Sequence, residues 1–143
     1  MKIDKFLNLI ENEDDNVNGG FHTSMEYQTV DNTNFRKVLF TGPNLQLVVM
    51  SLRPGEDIGL EMHSDTDQFI RVDKGEGEAQ IDAATYELKN GDAVVIPAGS
   101  RHNIIAGKKG LKLYTVYSKP HHEDGVVHKT KQDALKSEEE ENE

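Results

Sequence analysis

Short apolar runs separated by turn residues dominate this chain from Arg36 onward. The runs are rich in Val, Ile, Leu, Thr and Tyr, and the separators contain the Gly, Pro, Asn and Asp that favour tight turns. Many short strands at this spacing, with no helical pattern between them, predict a β-sandwich or barrel. The predicted strands are 36–41, 45–52, 68–72, 78–82, 93–96, 103–106 and 111–117.

Two glycine-containing stretches between these runs are predicted to be turns. They are Lys74-Gly75-Glu76-Gly77 and Gly107-Lys108-Lys109-Gly110. The first resembles part of a nucleotide-binding fingerprint, but no helix follows it, so we interpret it as a hairpin turn.

Both ends of the chain differ in composition from the middle. Residues 1–20 contain an apolar helical stretch and then a polar run that ends in two glycines, which predicts a helix and an acidic linker. Thr130 is placed to cap a C-terminal helix, but the glutamate run at its end opposes the helix dipole. We therefore expect a disordered acidic tail at 132–143 and a barrel domain at 21–131.

The charge of the chain is concentrated at its ends. Of the formal net charge of −10, residues 1–20 carry −3 and residues 132–143 carry −5, which leaves −2 for 21–131. An acidic chain argues against nucleic acid or an anionic membrane as a partner. There is no cysteine, and no apolar segment approaches the length of a membrane helix. We expect a soluble cytoplasmic protein.

The predicted strand at 45–52 is apolar on both faces, whereas a half-solvated antiparallel strand alternates apolar and polar residues. A second layer must cover the outer face. A homodimer is the expected solution, and a long loop lying over that face is the alternative.

Four polar side chains with metal-binding atoms occur at suggestive spacing. Glu61 and His63 are two residues apart and so share a face of an extended segment. Gln68 begins the strand that follows, and His102 comes after a Pro/Gly turn much further along the chain. If the strands bring these four together, they form a polar cluster able to bind a cation.

The residues around this cluster resemble the cupin family. The first cupin motif runs from a glycine through His-x-His and a Glu to a second glycine. Gly55, Glu61, His63, Gln68 and Gly75 match that spacing, with Glu61 in place of the first histidine and Gln68 in place of the glutamate.

The second cupin motif is carried by Gly91, Pro97, Gly99 and His102, although Ala106 stands where an asparagine usually closes it. The resemblance covers about residues 36–118. It implies an all-β fold, a double-stranded β-helix or jelly-roll cupin barrel with short flanking segments.

By this resemblance Glu61, His63, Gln68 and His102 occupy the metal-ligand positions of a cupin. Two imidazoles and one carboxylate suit Zn, Mn, Fe or Ni better than Ca or Mg, and an amide oxygen is a weaker neutral fourth ligand. The inventory resembles the zinc site of cupin-type phosphomannose isomerases with the carboxylate and amide positions exchanged. A hydrogen-bonded polar pocket without metal is the alternative.

Other candidate residues have weaker support. We interpret His121, His122 and His128 as part of an exposed turn; the alternative is that this stretch closes over the barrel and supplies an acid or base. Arg71 is predicted to point away from Gln68, and Arg101 is a possible anion contact. No residue can be named as a catalytic base.

Three functions are consistent with these observations. The first is a metal-dependent small-molecule enzyme that resembles a sugar or sugar-phosphate isomerase. The second is an Fe- or Ni-dependent dioxygenase, and the third is a non-catalytic cupin that binds or senses a small ligand. A small molecule is the expected partner in each case.

Overall fold

The computed structural model of the chain describes residues 19–141. The helix and most of the linker predicted for 1–20 lie outside the described residues. In chain order the elements are α1 (Met25–Asp31), β1 (Arg36–Thr41), β2 (Gln46–Leu52), β3 (Asp67–Ile81), β4 (Ala84–Lys89), β5 (Ala93–Ile96), β6 (His102–Ser118), β7 (Val127–His128) and α2 (Lys131–Glu141).

The strands form an antiparallel jelly roll, which confirms the predicted all-β fold. The sheet order is β4-β3-β6-β2-β1-β7. β5 pairs with β3 on the edge opposite β6, which is the edge that β4 also uses. Two long strands, β3 and β6, pair with each other from Asp67↔Ser118 to Ile81↔His102. Because β3 pairs with β5 near its start and with β4 near its end, it belongs to both halves of the barrel.

The two glycine-containing stretches predicted as turns lie inside β3 and β6, so that prediction is wrong. The pairing of these strands shifts register between Val72 and Lys74 and again between Gly75 and Gly77, as expected for bulges that bend a strand. Gly75 has φ +97°, and a Cβ there would lie 2.2 Å from the carbonyl oxygen of Gly110. The glycines therefore allow two bent strands to approach each other closely, and the strands continue through them.

An apolar core fills the barrel. Inward side chains from β2, β3, β5 and β6 are almost completely inaccessible to solvent. Buried positions alternate along much of β3 and β6, whereas β2 is buried on both faces. The inward residues with the largest buried side chains are Met50, Ile70, Ile96, Ile104, Leu111 and Leu113. At about 25 cal/mol per Å² of apolar area, this burial is the main source of stability.

The outer face of the sheet is partly covered by α1. Thr29 of this helix is fully buried, and the Nζ of Lys112 on β6 donates to the carbonyl oxygens of Val30 and Asn32 at 2.9 and 2.8 Å. Val49 is buried on that face, whereas Val95 remains 63% exposed. The homodimer stays a prediction.

The C-terminal segment forms a helix, so the disordered tail expected at 132–143 is wrong for 132–141. The hydroxyl of Thr130 accepts a hydrogen bond from the backbone of Asp133 at 3.1 Å, which is the predicted cap. Ala134 is buried in the core, and Lys131 forms an ion pair with Asp57. Within residues 19–141 no helix combines the length and the apolar character needed to cross a membrane.

Candidate metal centre

A two-bond backbone bridge brings the two motifs together. The backbone N–H of Glu61 donates to the carbonyl of His102, and the N–H of His102 donates to the carbonyl of Glu61, both at 2.9 Å. Residues exchanging both bonds lie directly opposite each other. Residues 41 positions apart therefore present their side chains to one place.

His63 joins this pair from the same extended segment. Its carbonyl accepts a hydrogen bond from the N–H of Gly99 at 2.8 Å, so the Pro/Gly turn before β6 holds the segment in place. The Oε1 of Glu61 lies 3.4 Å from the Nε2 of His63 and 3.8 Å from the Nε2 of His102. One ligand atom from each of the three lies within 4.8 Å of the others.

Several polar atoms of these side chains have no hydrogen-bond partner. The Nε2 atoms of His63 and His102, which both lie within 4 Å of the Glu61 carboxylate, are buried and unpaired, and so is the Oε1 of Gln68. A buried polar atom without a partner costs roughly 1–3 kcal/mol, so two beside one carboxylate indicate a group that would satisfy them. A divalent cation fits this requirement because imidazole nitrogens and an amide oxygen can each donate a lone pair.

The opposite ends of two side chains are already hydrogen-bonded. The Nδ1 of His102 lies 3.0 Å from the carbonyl oxygen of Ser100, which assigns the proton to Nδ1 and leaves a lone pair on Nε2. The Nε2 of Gln68 donates to the hydroxyl of Thr115 at 3.0 Å, so its amide oxygen is the free end. These bonds fix the orientation of both side chains and leave one lone-pair atom of each free.

Gln68 belongs to a row of polar side chains across three strands at one end of the barrel. It pairs in register with Tyr117 of β6, which pairs with Gln46 of β2. The ring of Tyr117 lies 6.0 Å from the ring of His63, centroid to centroid. The next row inward, Val48, Thr115 and Ile70, begins the mainly apolar interior.

Glu61 remains an anion in this environment. Burial raises the pKa of its carboxyl group, but the interaction with His63 and the positive charge of Arg36 outweigh burial, so the pKa is lower than usual. The site thus offers one negative charge beside its imidazole nitrogens.

The segment containing His121 and His122 is largely exposed and turn-like, as predicted, but both rings also pack against one side of the site. The ring of His121 lies 4.1 Å from that of His63, and the Nε2 of His122 lies 3.4 Å from the Tyr117 hydroxyl. Burial lowers the pKa of His122 to about 2. Partial burial and the neighbouring His63 also lower the pKa of His121. Burial raises the pKa of Tyr117. All three are neutral at pH 7.

A cavity of about 590 Å³ opens beside the cluster. Glu61, His63, His121, His122 and His128 contribute to its walls, and Ser137 and Glu138 of α2 line another side. This volume falls within the range of small-molecule sites, which is about 300–1,000 Å³. The open side of the cluster therefore faces a space of suitable size for a small ligand.

Sequence reasoning missed Arg36, which also lines this cavity and is only 2% exposed. The alternation of residues along β1 could have indicated that Arg36 is buried, because Arg36 shares a face of this strand with the buried Val38. Arg71 and Arg101 do not line this cavity. Arg71 is near Asp73, 3.8 Å between Nε and Oδ1, and Arg101 is exposed.

Comparisons with known proteins agree with this fold. Residues 48–117 match the family model described as the cupin domain. The uncharacterized protein YrkC of Bacillus subtilis is 41% identical over 125 residues, which cover 82% of this chain and 67% of the relative. The crystal structure of BH2720 from Bacillus halodurans has a TM-score of 0.81 and 40% identity, and the match covers 83% of this chain and 96% of that one.

A shorter match involves an enzyme. Quercetin 2,3-dioxygenase of Bacillus subtilis is 36% identical over 63 residues, which cover 44% of this chain and only 19% of that protein. The fold, the two motifs and the longer matches agree, and the chain belongs to the cupin family.

Proposed function

We propose that this cupin binds a divalent transition metal through Glu61, His63, Gln68 and His102 and uses it as an enzyme acting on a small molecule. The observation that supports the proposal most strongly is the pair of buried, unpaired histidine Nε2 atoms beside the Glu61 carboxylate. A purely structural polar cluster would pair these atoms with one another.

Each residue has a distinct part in this proposal. Glu61 supplies the negative charge, and His63 and His102 supply neutral nitrogen donors, the set found in two-histidine, one-carboxylate sites. Gln68 offers a fourth oxygen, while its bond to Thr115 prevents the amide from rotating. The bound ion would contribute Lewis-acid or redox chemistry. His121 and His122 limit the access of water on one side.

Oxidation of a small molecule by dioxygen is the reaction we favour. The quercetin 2,3-dioxygenase match supports it, and a site with two histidines and a carboxylate suits iron-type oxygen chemistry. The match spans a fifth of that enzyme, so its substrate is not carried over.

Isomerisation of a sugar or sugar phosphate is the second candidate. It is supported by the ligand inventory of two histidines, one carboxylate and one amide, which suits zinc as well as iron. This reaction needs no oxygen, which separates it from the first.

Metal content tests the proposal directly. Untagged protein is loaded with Zn, Mn, Fe or Ni in turn, desalted and measured by elemental analysis, beside a His63→Ala/His102→Ala variant. His22→Ala is the matched control because His22 is exposed and outside the cluster. About one ion per chain in the wild type and the control, and none in the double variant, is expected. No stoichiometric metal in the wild type would leave a non-catalytic binding cupin as the better account.

Oxygen uptake then separates the two reactions. Iron- or nickel-loaded protein is incubated with a panel of phenolic and enol compounds in an oxygen electrode. Substrate-dependent uptake that is absent from the double variant supports the dioxygenase. Turnover of an aldose or its phosphate by zinc-loaded protein without oxygen uptake supports the isomerase instead.

A further inference from the structure

Arg36 is a buried cation without a carboxylate partner among the side chains of residues 19–139. The residue is 2% exposed, and its Nε is buried and makes no hydrogen bond. Its guanidinium lies over the ring of Phe35, with the Cζ atom 5.3 Å from the ring centroid. Burial of a charge that is not paired with an opposite charge is strongly unfavourable.

This cation is positioned beside the candidate metal centre. Arg36 begins β1, where it pairs with Met50 of β2 and with His128 of β7, and it lines the same cavity as Glu61 and His63. Its positive charge contributes to lowering the pKa values of both Glu61 and His122, so it acts electrostatically on both residues. The cavity thus has an anionic metal-ligand cluster on one wall and a cation on another.

We propose that Arg36 binds an oxyanion group, a carboxylate or a phosphate, on the small molecule whose other end reaches the Glu61-His63-His102 cluster. Anion binding by Arg36 does not depend on the proposed function. Only the approach of the other end of the molecule to the cluster rests on that function. A guanidinium offers paired N–H donors that match a carboxylate or phosphate, and burial strengthens that bond. Arg36 lines this cavity and its guanidinium is positively charged at every pH of interest, so it is available to such a group.

Anion binding by metal-free protein tests whether Arg36 binds an oxyanion when no metal is present. Chelator-treated protein is titrated with acetate and, separately, with inorganic phosphate by calorimetry in a buffer free of competing anions. Wild type and the control Arg71→Gln, whose arginine is half-exposed on the outer face, are expected to bind one of the two anions. Arg36→Gln should weaken that binding at least about thirtyfold, the loss expected when one member of a buried charged pair is removed.

The preferred anion identifies the group on the substrate. Tighter binding of acetate indicates a carboxylate, and tighter binding of phosphate indicates a phosphate ester. No binding of either anion by wild type overturns the proposal, as does equal binding by Arg36→Gln.

A second variant covers the case in which Arg36→Gln does not fold, which circular dichroism and thermal unfolding would reveal. Arg36→Lys keeps the charge but loses the planar fork, so binding should persist with a reduced affinity. Affinity equal to the wild type in Arg36→Lys would contradict recognition by the guanidinium.

Cobalt-loaded protein distinguishes this proposal from the metal proposal. If cobalt binds and its visible spectrum responds to the anion equally in wild type and Arg36→Gln, the anion binds the metal and the Arg36 proposal fails. If no cobalt binds but metal-free protein still binds the anion through Arg36, the Arg36 anion site stands and the proposed function fails.

Discussion

Gln46 binds the main chain of His122 through both ends of its amide. Its Nε2 donates to the carbonyl of His122 at 2.7 Å, and its Oε1 accepts from the N–H of His122 at 2.8 Å. The same oxygen accepts from the N–H of His121 at 2.9 Å, and the amide also donates to Thr41 at 3.0 Å. This one buried side chain positions the histidine segment over the candidate metal centre.

Replacing Gln46 with leucine should destabilise the protein because the backbone groups of His121 and His122 would lose their partners. We expect the free energy of unfolding to fall by roughly 2–4 kcal/mol, measured by urea denaturation. Gln80→Leu is the control, since Gln80 is exposed on β3, and should change stability by about 0.5 kcal/mol or less. Equal effects of the two variants would contradict the anchoring role.

Replacement by alanine should reduce stability to different extents at two glycines that have similar backbone φ angles. Gly75→Ala places a Cβ 2.2 Å from the carbonyl oxygen of Gly110, whereas a Cβ at Gly91, with φ +89°, meets nothing within 4 Å. We expect a loss of roughly 4 kcal/mol or more, or failure to fold, for Gly75→Ala. Gly91→Ala should cost about 1–2 kcal/mol from backbone strain alone. Thermal unfolding of both variants checks this, and a Gly75→Ala loss no larger than that of Gly91→Ala would be incompatible with the bulged close approach.

The stability of the metal-free protein should fall with acidity because of His122. Its pKa is about 2 in the folded chain and near the ordinary 6.5 in the unfolded chain, so below pH 6.5 the unfolded state binds the extra proton. The contribution is complete above that value and is lost as pH falls, at up to about 1.4 kcal/mol per pH unit. Urea denaturation between about pH 7 and pH 5 should show a shallower dependence in His122→Asn. An unchanged slope, matching the control His22→Asn, would rule out a buried neutral His122.

The packing of the C-terminal helix α2 against the core should depend on Ala134. Ala134 is 2% exposed within the core, and its neighbour Leu135 is 46% exposed. Ala134→Asp buries a charge and should cost roughly 3 kcal/mol or detach the helix, whereas Leu135→Asp should cost about 1 kcal/mol or less. Urea denaturation and limited proteolysis of residues 131–141 distinguish the two variants. Equal protease sensitivity in both would mean that α2 is not held by this contact.

The sequence pattern predicted β1 and β5 with their observed bounds, because alternation of buried residues between turn signals is a local property. It failed where glycines sit inside strands: the stretches around Gly75 and Gly110 contain turn residues, yet distant pairing overrides that local preference. It also missed β4, whose single buried residue is Leu88.

The sequence allowed us to predict that Glu61, His63 and His102 lie together, but not which residues surround them. Glu61, His63 and His102 follow from residue type and spacing, and the bridge between Glu61 and His102 brings them together. The placement of His122 depends on Gln46, which lies 76 residues away in sequence. No local pattern records such a contact.

An anomalous X-ray difference map of metal-loaded crystals tests the central claim most directly. We predict one strong peak at about 2.0–2.2 Å from the Nε2 atoms of His63 and His102 and from the Glu61 carboxylate, with the Gln68 amide oxygen nearest among the remaining ligands. The peak should disappear in His63→Ala/His102→Ala. A fully loaded crystal with no peak between these residues, or with its only peak elsewhere, would contradict the metal centre.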